Sequence, residues 1–420
     1  MKIDLEQLKE PCTCGKAHPL NVRDIVFKQG AIDEIPVYLQ TLNYSNPSII
    51  CDTNTYEAAG KIIAALISGC NMIMLDAKDL HADEHGVAFA QKGLSEQTDL
   101  LIAVGAGTIH DITRYVAYDR QIPFFSVPTA ASVDGFVSTV AAMTWNGFKK
   151  SFTAVSPEVV FADSNIYAKA PSRLTASGAS DLLGKYTALA DWKLGNLLLN
   201  EYICPKICKM EEEALSVVAS DPAGLKKGDR QACENLMYGL LLSGLAMQMV
   251  GNSRPASGAE HHLSHLWEMA LINEHTSAYH GEKVGVGLVI ACRRYREAAR
   301  YIQAKSYQIA PTIDPAEEIA EFAGESNDVF NELLSENTPN PLGPVTDQLL
   351  EEKSEEIAAL LNSVPDADKV RQLLIDAGAP VTMEEIGLSS FIEKKSIQYS
   401  PYIRSRLTGM KLIKKYIYPN

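Results

Sequence analysis

The first 170 residues alternate short apolar runs with stretches that have the spacing of an amphipathic helix. Apolar runs open the segments 48–56, 71–76, 99–107 and 122–132. Helical spacing appears between them, at 57–69 and again at 108–119. Short buried strands that alternate with helices are typical of a parallel sheet covered on both faces. The pattern therefore predicts an α/β, Rossmann-like N-terminal domain.

Strand-like runs almost disappear after about residue 170. Helical spacing dominates the remainder, at 210–219, 231–250, 258–272 and 284–300. We place a boundary near Pro171, which gives an α/β domain over 1–170 and an all-helical domain over 171–420. A protein divided in this way should carry its site in the cleft between the domains. We interpret the acidic region 313–380 as solvated helices joined by a loop, and the basic tail from Lys394 as a solvated helix or a subunit contact.

Composition places the chain among ordinary globular proteins, with 46% hydrophobic and 21% charged residues in a total of 420. A formal net charge of −14 argues against nucleic acid or an anionic membrane as a partner. The start, MKIDLEQLKEPC, has no apolar signal-peptide core, and the longest apolar run, near 240–250, is shorter than the roughly 20 residues that span a bilayer. We therefore expect a cytoplasmic protein with reduced cysteines and no transmembrane segment.

The segment CTCGKAH contains three residues of types that bind zinc: Cys12, Cys14 and His18. They could form part of a structural zinc site. Such sites are almost always four-coordinate, however, and no fourth ligand lies nearby in the sequence. Ligand count alone therefore argues against zinc at this segment.

A glycine-rich turn follows the third apolar run, in AVGAGTIHD (103–111). Gly105 and Gly107 stand at the end of the predicted strand, immediately before a helix. Glycine at such a turn lets the backbone approach a diphosphate, and the helix N-terminus offers N–H groups to it. The third glycine of the G-x-G-x-x-G pattern is absent, so a purely structural turn explains the segment about as well as a nucleotide site.

The next loop, SVPTAASVDGFVS (126–138), also follows a predicted strand. It is dense in hydroxyl side chains, namely Ser126, Thr129, Ser132 and Ser138. Two neighbouring strand ends would then present small polar loops, which is where open α/β sheets bind their ligands. Asp134 lies in the same loop, where it could contact a ligand or simply stabilise a turn or a helix start.

Five of the nine histidines lie in the segment 260–283, at positions 261, 262, 265, 275 and 280. If 258–272 is a helix, its apolar residues form one stripe, made of Leu263, Leu266, Trp267, Ala270 and Leu271. His261 and His265 then lie one turn apart on the opposite face, whereas His262 lies nearer the edge of the stripe. Together with His280 they favour a metal site over a row of solvated histidines.

A carboxylate would complete such a site. Asp181, in TASGASDLLGKY, precedes a helical run just after the domain boundary. It could be the third ligand, or it could be an acid favoured at a helix N-terminus. A His-His-Asp set with an open position suits a catalytic Zn²⁺, Fe²⁺ or Ni²⁺ ion, and ligand softness does not separate the three.

Five motifs between about residues 100 and 290 resemble those of the sn-glycerol-1-phosphate dehydrogenases, in the same order: GAGTIHD, SVPTAASVDG, SGASDLLGKY, SRPASGAEHHLSH and HGEKVGVG. This family belongs to a wider superfamily of metal-dependent glycerol dehydrogenases, iron-type alcohol dehydrogenases and dehydroquinate synthases. The resemblance implies NAD(P)H and one divalent metal ion as cofactors, and a homodimer.

The resemblance also implies a role for each motif. The cofactor diphosphate would be bound by Gly105, Ala106, Gly107, Thr108 and Ile109, with Asp111 close by and Thr129, Ser132 and Ser138 in contact with the cofactor. The metal would be held by Asp181, His261 and His280, and the substrate would be contacted by Asp134 and by the catalytic residues Asp181 and His265. In this family the first histidine of an H-x-x-x-H pair is the ligand, which selects His261 over His262. Ala106 replaces a glycine that many relatives have.

The implied activity is reversible, metal-assisted reduction of dihydroxyacetone phosphate to sn-glycerol 1-phosphate by NADH or NADPH, which would feed glycerolipid synthesis. Asp52, after a strand end, could reach the adenosine ribose and favour NADH, or it could be a plain turn residue. Arg254 or Lys283 could hold the substrate phosphate, or either could be an ordinary surface cation.

Three other functions are compatible with the sequence. One is a glycerol dehydrogenase, which would act on unphosphorylated substrates, although the stretch SRPASGAEHH favours the phosphate enzyme. The second is a lyase like dehydroquinate synthase, in which NAD cycles without net turnover. The third is a nucleotide-binding protein without enzymatic activity.

Overall fold

Eight strands lie in the described residues of the N-terminal part of the chain. The computed structural model describes residues 3–269 and 276–419, and its first strands are β1 (Asp24–Lys28), β2 (Pro47–Asp52), β3 (Asn71–Leu75), β4 (Leu100–Gly105), β5 (Phe124–Pro128), β6 (Val140–Trp145), β7 (Phe148–Thr153) and β8 (Val159–Asp163). Six of them form one sheet in the order β1-β8-β5-β4-β2-β3, and all neighbouring pairs are parallel. The strands β6 and β7 form a separate antiparallel hairpin.

Helices cover both faces of the sheet because its central strands are apolar on both sides. All residues of β4 are buried. Ile102 packs in the cluster that contains Ile63, whereas its neighbour Leu101 packs with Ile112 in a second cluster on the other face. The helices of this part are α1 (Leu5–Lys9), α2 (Ile35–Leu42), α3 (Thr53–Thr55), α4 (Lys61–Leu66), α5 (Glu84–Gly93), α6 (Gly107–Arg120) and α7 (Ser164–Tyr167). The predicted α/β class is confirmed.

The part after residue 170 is helical. Its helices are α8 (Ser172–Leu183), α9 (Lys185–Leu199), α10 (Pro205–Ser220), α11 (Pro222–Lys227), α12 (Arg230–Val250), α13 (Ala259–Glu268), α14 (His280–Gln303), α15 (Pro315–Ala323), α16 (Asn327–Glu336), α17 (Asp347–Glu352), α18 (Ser354–Asn362), α19 (Ala367–Ala377), α20 (Glu393–Tyr399) and α21 (Gly409–Ile413). The long helix α14 contacts α8, α13 and α18. Among the described residues, the β structure here is one short antiparallel pair, β9 (Gln308–Ile309) with β10 (Tyr416–Ile417).

The change from strand to helix falls close to the expected boundary. The last strand of the sheet ends at Asp163, and α8 begins at Ser172. The N-terminal residues nevertheless pack on the other side of that boundary, since Ile3, Leu5 and Val22 lie in the core cluster of the helical part. The division at residue 170 stays a prediction.

The acidic region and the basic tail are more buried than expected. Ile357 and Leu374, on α18 and α19, lie in the main helical core. Lys411, on α21, is 1% exposed and donates to Oδ1 of Asn337 (2.8 Å). The interpretation of both segments as solvated therefore holds only for their polar faces, because their apolar faces pack on the core, and the subunit contact of the tail stays a prediction. No helix in the described ranges is long and apolar enough to cross a membrane.

Candidate active site

The turn between β4 and α6 packs the side chain of Ile109 directly against the backbone of Gly105. A Cβ on Gly105 would lie 2.5 Å from the Cβ of Ile109, so only glycine fits at this strand end. Ala106 is the N-cap residue, and no side chain of the described residues caps α6. The first N–H groups of the helix, at Gly107 and Thr108, are therefore left for a ligand, and the helix dipole favours an anion there. The turn fits the expected diphosphate site.

The loop after β5 lies beside this turn. The N–H of Thr129 donates to the carbonyl of Gly105 (3.0 Å), which joins the two strand ends. Ser132 is buried, and its Oγ has no hydrogen-bond partner within the described ranges. A buried hydroxyl normally has a hydrogen-bond partner, and a bound cofactor would provide that partner for Ser132. Ser138 exchanges hydrogen bonds with Val140 (2.9 and 3.0 Å) and so stabilises its own turn; its contact with a cofactor stays a prediction.

His110 is a buried histidine to which the sequence analysis gave no role, and its ring forms hydrogen bonds that join the β4–α6 turn to β5. The Nδ1–H of His110 donates to the carbonyl of Ala106 (2.9 Å), so its Nε2 accepts from the hydroxyl of Ser126 (2.8 Å). Burial lowers the pKa of His110 to about 3, which keeps the ring neutral. Ser126 therefore supports His110 rather than facing a ligand.

Two acids expected near the cofactor have structural partners. Asp111 accepts from Arg114 (2.8 Å), and the same guanidinium nitrogen donates to the carbonyl of Val140 (3.1 Å) at the start of the β6–β7 hairpin. Asp52 caps α3 by accepting from the N–H of Thr55 (2.9 Å). The turn role considered for Asp52 is therefore present, and its contact with a ribose stays a prediction.

Three separate helices bring the expected metal ligands together. Asp181 lies on α8, His261 on α13, and His280 is the first residue of α14. Their ligand atoms all lie within 4.8 Å of one another, and Nε2 of His261 is 3.3 Å from Oδ1 of Asp181. Asp181 stands in the last turn of α8, so the alternative that it is an acid at a helix N-terminus was wrong.

Glycines at two positions allow this convergence. A Cβ on Gly178 would lie 2.1 Å from the carbonyl oxygen of Ala131, in the loop after β5. A Cβ on Gly281 would lie 1.9 Å from the carbonyl oxygen of Ser177. The helix α8 therefore packs backbone to backbone with that loop on one side and with α14 on the other, which places its carboxylate between the two parts of the chain.

Each histidine of the set is oriented by a carboxylate. Nδ1 of His261 donates to Glu260 (2.7 Å), and Nδ1 of His280 donates to Glu268 (2.7 Å). This is the arrangement by which metal-binding histidines are held with Nε2 as the ligand atom. The donor set fits one divalent ion with open positions, although it does not distinguish Zn²⁺, Ni²⁺ and Fe²⁺.

We expect Glu260→Gln to weaken binding of this ion by about 10- to 100-fold, because the amide is a poorer acceptor for the Nδ1–H of His261. The affinity can be measured from the activity recovered in metal–chelator buffers. The surface variant Glu212→Gln is the control and should leave the affinity unchanged. An unchanged affinity in Glu260→Gln would mean that His261 is not oriented in this way.

A fully buried lysine lies next to the expected metal ligands; it belongs to the motif SGASDLLGKY, but the sequence analysis gave it no role. Nζ of Lys185 is 2.7 Å from Oδ2 of Asp134 and 3.0 Å from Oδ1 of Asp181. Burial opposes its charge, yet the two carboxylates hold the pKa of Lys185 above its usual value. Asp134 also accepts from Ser243 (3.0 Å), so its carboxylate lies in this network and does not cap a turn; its contact with a substrate stays a prediction. The four-residue spacing of Asp181 and Lys185, which lie on either side of the junction between α8 and α9, was the available signal.

The remaining histidines divide as the helical-face argument predicts. The ring of His265 is 6.0 Å from that of His261 and 5.8 Å from that of His280, so it faces the same space. His262 is buried, and neither of its ring nitrogens has a partner among the residues that the structure describes. His275 and the stripe residues 270 and 271 lie outside the described residues.

Only one of the two proposed phosphate-binding cations lies at the site. Arg254 is 2% exposed and is bound by Glu201 (2.8 and 2.9 Å) and by the carbonyl of Asp191, so both its phosphate role and its alternative as a surface cation were wrong. Lys283 donates to the carbonyl of Ala278 (3.0 Å) and lies 3.5 Å from Glu268, the partner of His280.

Known proteins resemble this chain in sequence and in fold. The family model for iron-containing alcohol dehydrogenases matches residues 26–171. The glycerol-1-phosphate dehydrogenase [NAD(P)+] of Halalkalibacterium halodurans is 31% identical over 98% of this chain and 97% of its own length, and that of Bacillus licheniformis is 34% identical over 96% and 92%. The iron-containing alcohol dehydrogenase structure from Corynebacterium glutamicum shares the fold, with a TM-score of 0.63 and 15% identity over 94% of this chain and 95% of its own.

These likenesses agree with the arrangement of the site, in which a nucleotide-type turn and a His-His-Asp set lie at one end of a parallel sheet. The chain belongs to the glycerol-1-phosphate dehydrogenase family, within the NAD(P)-dependent, metal-containing dehydrogenases of the iron-type alcohol dehydrogenase class.

Proposed function

We propose that this protein reduces dihydroxyacetone phosphate to sn-glycerol 1-phosphate, reversibly, with NADH or NADPH. The observation that carries the proposal is the convergence of Asp181, His261 and His280 beside the loop that follows β5, where the N–H of Asp134 donates to Oδ2 of Asp181 (3.1 Å). A ketone placed there would have the metal ligands on one side and the expected nicotinamide site on the other. The names of the relatives favour a phosphorylated substrate. The product would supply glycerolipid synthesis.

Each group at the site would have a distinct role in this reaction. When bound, a divalent ion would polarise the ketone and the nicotinamide would supply the hydride. Burial opposes the charge of Asp181, but the Lys185 ammonium helps to hold the pKa of Asp181 below its usual value. The same ammonium fixes the positions of the Asp134 and Asp181 carboxylates. Desolvation keeps the pKa of His265 well below its usual value, so its neutral ring would orient the substrate through an N–H group rather than deliver a proton. The substrate oxygen would take up its proton from water in the cleft, which completes the alcohol.

The test of this proposal is loss of NADH absorbance with dihydroxyacetone phosphate, beside unphosphorylated dihydroxyacetone, each with and without chelator. We expect chelator-sensitive oxidation with the phosphate only. Equal rates on both ketones would favour glycerol dehydrogenase. No oxidation of either ketone after Zn²⁺, Ni²⁺ or Fe²⁺ is restored would favour a lyase or a nucleotide-binding protein without activity.

Lys283 is the cation that we assign to the substrate phosphate. A hydrogen bond between charged groups contributes about 1.5–3 kcal/mol, so Lys283→Met should raise KM for dihydroxyacetone phosphate about 10- to 100-fold. The slow reaction with dihydroxyacetone, if detectable, should not change. Arg293→Met, on the exposed side of the same helix, is the control. An unchanged KM in Lys283→Met would remove Lys283 from the phosphate site.

We also propose that the enzyme is cytoplasmic and that it forms a homodimer. We propose further that it uses NADH in preference to NADPH. All eight cysteines lie in the described ranges and none forms a disulfide, which is usual in that compartment. The preference for NADH depends on Asp52 at the carboxyl end of β2. Kinetics with NADH and with NADPH test the cofactor preference, which a clear preference for NADPH would contradict. The mass of the native protein in solution tests the homodimer, which the mass of a monomer would contradict.

A further inference from the structure

A second cluster of metal-binding side chains lies away from the candidate active site. It consists of Cys12, Cys14, His18 and Cys204, whose ligand atoms all lie within 4.8 Å of one another. The Sγ atoms of Cys12 and Cys204 are 3.5 Å apart, and Nε2 of His18 is 3.1 Å from Cys14 and 3.4 Å from Cys204. The fourth ligand that the segment CTCGKAH lacked is therefore Cys204, which the fold brings from 186 residues away.

These separations match four ligands arranged tetrahedrally around one metal ion better than they match a disulfide. With zinc–sulfur bonds of about 2.3 Å and zinc–nitrogen bonds of about 2.0 Å, ligand atoms lie about 3.5 to 3.8 Å apart. A disulfide would need about 2.05 Å between the sulfurs of Cys12 and Cys204. Three cysteines and one histidine are also a common ligand set of structural zinc sites.

The surroundings orient each ligand toward a common centre. Nδ1 of His18 donates to the carbonyl of Met249 (2.8 Å), which leaves the lone pair of Nε2 directed at the cysteines. The hydroxyl of Tyr202 lies 3.1 Å from Sγ of Cys14, where it can donate to a thiolate. Gly15, at φ +80°, makes the turn that returns the chain after Cys14, and this conformation favours glycine.

We propose that Cys12, Cys14, His18 and Cys204 bind a structural Zn²⁺ ion, separate from the catalytic metal. Four protein ligands leave no open position, so this ion would not activate a substrate. It would fasten the N-terminal segment to the residue before α10 and, through His18, to the carbonyl of Met249 near the end of α12. The N-terminal residues then lie against the helical part, where Ile3 and Leu5 are buried.

Cobalt substitution tests this site without measuring turnover. Thiolate-to-cobalt charge-transfer bands arise only from sulfur ligands, and the set Asp181, His261 and His280 contains none. We expect these bands in the Co²⁺-loaded full chain and in His280→Ala, and their loss in Cys14→Ser. Cys70→Ser, which changes a half-buried thiol outside the cluster, should keep them. Metal analysis should give two ions per chain, and one in either His280→Ala or Cys14→Ser.

Zinc X-ray absorption on His280→Ala makes the test independent of whether the cysteine variant folds. We expect sulfur neighbours at about 2.3 Å. A Co²⁺ protein without charge-transfer bands, zinc with only nitrogen and oxygen neighbours, or a Cys12–Cys204 disulfide detected by mass would each overturn the proposal. None of these outcomes depends on whether the protein reduces dihydroxyacetone phosphate, so a failure here leaves the proposed function standing.

Discussion

Replacing His280 by alanine is expected to lower the turnover of dihydroxyacetone phosphate by about three orders of magnitude, because a Lewis-acid metal stabilises the developing alkoxide by several kcal/mol. His280 is half-buried at the first position of α14, so its loss should affect the metal more than the fold. The measurement is kcat together with metal content. One ion per chain should be lost.

The matched control for this change is His85→Ala, which removes an exposed histidine on α5. It should leave both kcat and metal content unchanged. If His280→Ala retains full activity, or if it loses activity while it keeps its complete metal content, then His280 does not bind the catalytic ion.

Lys185→Met is expected to reduce the free energy of unfolding by about 3–5 kcal/mol, since removing one partner of a buried ion pair leaves an uncompensated buried charge. Here two carboxylates, Asp134 and Asp181, would lose the same ammonium group. Urea denaturation of the metal-free protein measures the loss. Activity should also fall, because the metal ligand Asp181 would lose a contact that fixes its position.

Lys193→Met, on the same helix α9, is the matched control. Its ammonium pairs with Glu212 at 3.2 Å on the surface, where such pairs contribute about 0–1 kcal/mol. If Lys185→Met and Lys193→Met lowered the free energy of unfolding equally, the buried ion pairs of Lys185 would stabilise the protein no more than a surface ion pair does.

The parts of the fold that follow from local pattern could be predicted from the sequence. Four apolar runs correspond to β2, β3, β4 and β5, because each is a short apolar segment, although β3 at the edge of the sheet is only partly buried. The strands β1 and β8 were missed, although they pair with each other at one edge of the sheet. The strand β8 is a short buried run like those that were found, so its local signal was available and was overlooked. The edge strand β1 is only partly buried and carries a weaker signal.

The site was predictable to the extent that its residues carry motifs. The positions of His261 and His265 followed from helical spacing, and that spacing also separated them from His262. Partners distant in sequence could not be found in this way. Arg254 has the charge of a phosphate-binding residue, yet Glu201 binds it in the interior. Cys204 completes a zinc-type cluster only because α10 begins beside the N-terminal segment.

The configuration of the product tests the central claim most directly. The enzyme would be given dihydroxyacetone phosphate and NADH, and the glycerol phosphate formed would be offered to an enzyme specific for the sn-3 enantiomer. We predict that stoichiometric product accumulates and that none of it is consumed, as sn-glycerol 1-phosphate requires. Consumption of part or all of the product, or no glycerol phosphate at all, would contradict the account.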